Sequence, residues 1–86
     1  MHELSIALEV ARLAQERLGP EGVRRLVTVG VEVGDDAGVE VGSLEFCLEA
    51  VLAAPPFPGA RPRVERRPGD VLRLSYLEVD DGGPNH

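Results

Sequence analysis

RLVTVGVEV, residues 25–33, alternates strictly. Val27, Val29, Val31 and Val33 point one way; Leu26, Thr28, Gly30 and Glu32 point the other. A period of two with one wholly valine face predicts a strand that buries that face against another layer. Gly34-Asp35-Asp36-Ala37-Gly38 ends it in a loop. Upstream, Leu4, Ala7, Leu8, Ala11, Ala14 and Leu18 recur at three- and four-residue steps, with Ile6, Val10 and Leu13 widening the stripe. They predict a helix over 4–18, closed by Gly19-Pro20. Downstream, Leu44, Cys47, Leu48, Val51 and Leu52 mark a second helix over 43–53, with Ser43 as its N-cap and Pro55-Pro56 as its stop.

Two further strands complete the chain. RPRVERR (61–67) is charged, and Pro62 confines it to a sheet edge or to the strand's first residues. VLRLSYLEV (71–79) switches parity: Leu72 and Leu74 share a face, whereas Leu77 and Val79 sit on the other parity. A bulge near Ser75-Tyr76 restores all four to one side. Pro68-Gly69 suits a type II turn that would join these strands as an antiparallel hairpin. The expected fold is a two-layer α/β (α+β) sandwich of order α-β-α-β-β: a three-stranded mixed sheet with two helices on one face. The expected core joins Val27, Val29, Val31, Leu74 and Leu77 of the sheet to Leu8, Ala11, Leu44, Leu48 and Val51 of the helices. Residues 1–80 form a single domain, and 81–86 read as a disordered tail.

Composition narrows the function. The 86 residues carry a net charge of −6, which disfavours nucleic-acid binding, since that needs a dense basic patch. The single cysteine, Cys47, excludes an internal disulfide and any zinc site built on cysteine pairs. It lies on the apolar stripe of the second helix and reads as a small buried hydrophobe. The two histidines stand at positions 2 and 86, so no base accompanies it and no enzyme is expected. No apolar run approaches the roughly 20 residues of a membrane span, and Met1-His2-Glu3 is acidic where a signal peptide is basic. The expected protein is soluble and cytoplasmic.

The first three residues hold the one candidate site. The Met1 amine and the His2 amide nitrogen close a five-membered ring on a metal; the His2 amide and Nδ1 close a six-membered one. Three nitrogens then share a plane, and the Glu3 amide, the Glu3 carboxylate or an outside ligand takes the fourth corner. Planar nitrogen ligation suits Ni(II) or Cu(II). The plainer reading makes His2 and Glu3 ordinary polar residues ahead of a helix.

MHELSIA, residues 1–7, resembles the opening of the HypA family, the nickel-incorporation accessory proteins of NiFe-hydrogenase maturation. LVTVGVEVG resembles that family's first long strand and VEVGSLEFCLEAV its second helix. ARPRVERRPGD and DVLRLSYLEVDD resemble the strands flanking its zinc domain. The resemblance implies a metallochaperone that binds one Ni(II) per chain through Met1, His2 and Glu3. It implies as partners a GTPase called HypB and the hydrogenase large subunit. It also implies a zinc domain with two CxxC pairs between the second and third strands; here Pro68-Gly69-Asp70 fills that gap, and no structural zinc is expected. Asp35-Asp36-Ala37 replaces the family's usual Leu-Ser pair. The alternative is a metal-independent interaction module on the same fold, with an oligomer possible.

Overall fold

The computed structural model describes residues 2–80. Its elements are α1 (Glu3–Val23), β1 (Leu26–Gly34), α2 (Val41–Leu52), β2 (Arg61–Arg67) and β3 (Leu72–Val79). They form an α+β fold of two helices and one three-stranded mixed sheet of order β2-β1-β3. The valine face of β1 sets the layers. Val29, Val31 and Val33 are buried, and they share one core with Ala7, Ala11 and Ala14 of α1 and Leu44, Leu48 and Leu52 of α2. No helix among the described residues is long and apolar enough to cross a membrane.

β1 is the middle strand, parallel to β2 and antiparallel to β3. The expected hairpin between β2 and β3 is therefore wrong: both strands pair with β1 and neither with the other. The reason is polarity. The most apolar strand takes the centre, where it gains partners on both edges, and the charged RPRVERR is left outside. Residues 68–71 instead pass across the end of β1 and are stitched to it. The Gly34 N–H donates to the Val71 carbonyl at 2.6 Å, the Asp35 N–H to the Arg67 carbonyl at 2.8 Å, and the Asp36 N–H to the Gly69 carbonyl at 2.8 Å.

The bulge expected at Ser75 is present: Gly30 pairs with Tyr76 and Val31 with Leu74, so Ser75 is the extra residue. A second irregularity escaped the alternation. Leu26 pairs with Val79 and Thr28 with Glu78, leaving Val27 without a partner on β3. The parity flips there, so Leu26 is buried and Val27 is 41% exposed, contrary to the expected core. Leu8 is also misplaced, at 53% exposed; the α1 stripe turns its alanines inward instead. Leu77 and Val51 are half-buried at the core margin, and so is Cys47.

The helix ends also differ from expectation. Gly19 breaks α1 with φ 70, but Pro20 begins a further short turn that runs to Val23. α2 starts two residues early, at Val41, because Glu40 and not Ser43 is its N-cap. The reverse face of the sheet is polar. There Glu32, 9% exposed, accepts from Arg73 Nε of β3 at 2.7 Å and from Arg67 of β2 at 3.2 Å. One carboxylate thus ties all three strands, and the arginine donors, Arg73 first, hold its pKa below the usual range.

A side chain at Gly34 has no room, because a Cβ there would overlap the Gly69 carbonyl and the Val71 nitrogen. Both are backbone atoms and cannot rotate aside. Gly34→Ala should cost roughly 1–3 kcal/mol, at about 4–8 °C of Tm per kcal/mol, in a thermal melt. An unchanged Tm would mean that residues 68–71 do not close on β1.

Candidate metal centre

The site begins where α1 begins. His2 is the N-cap, with φ −81 and ψ 117, and its side chain makes no capping bond. Its carbonyl accepts the first helical hydrogen bond, from the Ile6 N–H at 3.3 Å. The N–H groups of the first turn have no carbonyl to bond within the helix. The amide nitrogens of His2 and Glu3 therefore stand outside the helical ladder, and His2 is exposed. Met1 lies outside the described residues, as does the expected tail over 81–86. Asp80, which precedes that tail, donates its N–H to the Arg25 carbonyl at 2.8 Å.

Glu3 is half-buried, and its side chain turns to the second helix. Its Oε2 accepts the Glu40 backbone N–H at 2.9 Å, a link across 37 residues of sequence. The Glu40 carboxylate in turn accepts the Ser43 N–H at 2.7 Å and caps α2. The two helices thus start side by side, locked by two glutamates. Both carboxyl groups are held below their ordinary range. For Glu3 the main cause is the Glu40 N–H, then its own N–H. For Glu40 it is the Ser43 N–H and then the Ser43 hydroxyl, opposed by the negative charge of Glu3.

The expected trio is thus only partly a side-chain site. Among the described residues no group of three or more His, Cys, Asp or Glu side chains is placed to hold a metal. The donors that the N-terminus offers are mainly nitrogens of the main chain, together with the His2 imidazole. Glu40 was missed in the sequence. Its capping role had a signal, an acid three residues before Ser43. Its contact with Glu3 had none, because only the packing of α1 on α2 brings them together. Glu32 is no second site: its carboxylate is already engaged by Arg67 and Arg73.

The lowered carboxylate pKa values fix a sign. Each group stabilises the fold above its ordinary unfolded value of about 4.3, and that contribution is lost as pH falls through the lower folded value. Glu3→Gln should therefore lower the Tm at pH 5 and above, with the gap closing toward about pH 2. Melts of the two proteins across that range measure it. Equal Tm values at every pH would show that the Glu3–Glu40 link does not stabilise the helix junction.

A family model described as hydrogenase/urease nickel incorporation, metallochaperone, hypA, matches residues 1–72. A hydrogenase maturation factor HypA of Azotobacter chroococcum is 41% identical over 69 residues, covering 80% of this chain and 61% of the relative. The one of Geobacter metallireducens is 39% identical over 69 residues, covering 80% and 60%. That of Polaromonas naphthalenivorans is 36% identical over 79 residues, covering 92% and 69%. The chain spans about 60% of the length of the first of these curated relatives. With the helix start, the capped second helix and the mixed sheet in place, these matches show that the chain belongs to the HypA family of hydrogenase nickel-incorporation proteins.

Proposed function

We propose that the chain binds one Ni(II) as cargo at its N-terminus and passes it on during NiFe-hydrogenase maturation. The ligands are the Met1 amine, the His2 amide nitrogen and Nδ1, and Glu3. The observation that carries this reading is the start of α1 at Glu3, which leaves the His2 and Glu3 amides free of helical hydrogen bonds. A metal can displace the His2 amide proton without breaking the ladder. The fourth corner lies opposite the His2 amide, where the adjoining Glu3 amide cannot reach, so Glu3 serves through its carboxylate, which exchanges the Glu40 N–H for the metal. Glu40 acts as a positioning residue, holding Glu3 and the first turn of α1 ready for the ion. An anchored backbone reduces the ordering cost of binding.

Family membership supports the rest of the assignment. A nickel-handling GTPase would supply or receive the ion, the hydrogenase large subunit would be the destination, and the location would be cytoplasmic. The ion is carried and not used, so the reading includes no catalytic residue. It also includes no structural zinc, since residues 68–71 close directly on β1 and Cys47 is the chain's one cysteine. Pro68-Gly69-Asp70, standing without any CxxC pair between β2 and β3, favours one competing reading, an interaction module on this fold that binds no metal.

Calorimetric titration of nickel into the untagged chain separates them. Binding should be one-to-one and should tighten between about pH 6 and 8, where imidazoles and α-amines shed protons. N-terminal acetylation removes one donor and leaves every side chain intact, and it should abolish binding. Unchanged affinity in the acetylated chain would sink the chelate, and an untagged chain that takes up no nickel would leave the interaction module.

A further inference from the structure

The two edges of the sheet are not equally protected. β2 carries Pro62 and four arginines in seven residues, a composition that discourages another strand from adding to it. β3 has neither proline nor a run of charge, and among the described residues it has a ladder partner, β1, on one side only. Its remaining protection is the bulge at Ser75.

We propose that β3 pairs antiparallel with β3 of a second copy, making a six-stranded sheet across a two-fold axis. The strand's own sequence selects the register. When the eight residues Leu72–Val79 overlap completely, Leu72 faces the partner's Val79, Arg73 its Glu78, Leu74 its Leu77, and Ser75 its Tyr76. The bulge makes this register self-consistent. It places Leu72, Leu74, Leu77 and Val79 on the helix side and Arg73, Tyr76 and Glu78 on the other, so every pair apart from Ser75 with Tyr76 joins residues of one face. Sliding by one residue sets Leu74 against Tyr76 or Glu78, on opposite faces. The two bulges then meet at the axis, where they disturb the ladder together.

Charge selects the same register. Glu78 has no ion-pair partner among the described residues, and only Nε of Arg73 is engaged, by Glu32. Cross-strand pairing supplies each with an opposite charge, and symmetry makes the pair twice. The helix side also gains. A groove of about 280 Å³ opens between α1 and β3, lined largely by Ile6, Val10, Leu13, Val31, Leu72 and Leu74. Leu72 and Leu77 are half-exposed along this edge and Val79 is 38% exposed. A second strand would cover this apolar margin. The pairing is independent of the nickel reading, because the N-terminal donors contribute nothing to it.

Sedimentation equilibrium of the full chain tests the proposal. The unaltered chain should dimerise within the range up to millimolar concentration. Glu78→Ala should weaken the dimer, and Glu78→Arg should weaken it further, by about tenfold or more, because it sets two arginines face to face twice over. Arg73→Glu should do the same with glutamates. An equimolar mixture of Glu78→Arg and Arg73→Glu chains should recover the dimer as a heterodimer, since both pairs are then opposite in sign. Should Arg73→Glu unfold beside Glu32, the order unaltered, Glu78→Ala, Glu78→Arg still decides. A chain monomeric at millimolar concentration, a dimer indifferent to Glu78→Arg, or two folded variants that fail to recover on mixing would each overturn it.

Discussion

One strand holds the molecule together. β1 supplies the ladder partners of both other strands, and its buried valines give the helices a surface to pack on. On the reverse face its Glu32 ties β2 to β3 through two arginines. These arginines are about half-exposed or more, so the ion pairs add little free energy in themselves. Their value is to keep a poorly exposed carboxylate satisfied in the middle of the sheet. At the end of β1 the stitched crossing of residues 68–71 fixes where β3 begins.

The candidate metal centre follows from this arrangement. Packing α1 and α2 on the same valine face sets their first turns side by side, and the Glu3–Glu40 bond records the contact. The bond has two consequences. It holds the Glu3 carboxylate in place, and it steadies a helix start whose amide nitrogens lie outside the helical ladder. Main-chain nitrogens are strong planar donors once deprotonated, so a site of this kind needs little side-chain machinery. The proposed nickel site is therefore compatible with described residues that hold no cluster of ligating side chains.

Much of the fold was legible in particular residues. The alternation in 25–33 gave a strand with one apolar face, Pro62 gave the edge as one of two options, and the parity switch between Leu74 and Leu77 gave the bulge. What escaped were features set by partners distant in sequence. Val27 obeys the alternation, but a second irregularity in pairing with β3 turns it outward. Pro68-Gly69 is the right chemistry for a turn, but a turn does not say which strands it joins. The pair Glu3 and Glu40 is a tertiary contact with no local signature. The opening Met1-His2-Glu3 could be proposed as a chelator from sequence only because the donors lie next to one another along the chain.

The central claim is that nickel is held at the start of α1 by nitrogens and the Glu3 carboxylate, and by no sulfur. Nickel K-edge X-ray absorption of the loaded, untagged chain tests it most directly. The account predicts a planar four-coordinate ion with three nitrogen ligands, one of them an imidazole, one oxygen, and no sulfur scattering. A six-coordinate ion, or sulfur in the ligand shell, would contradict it.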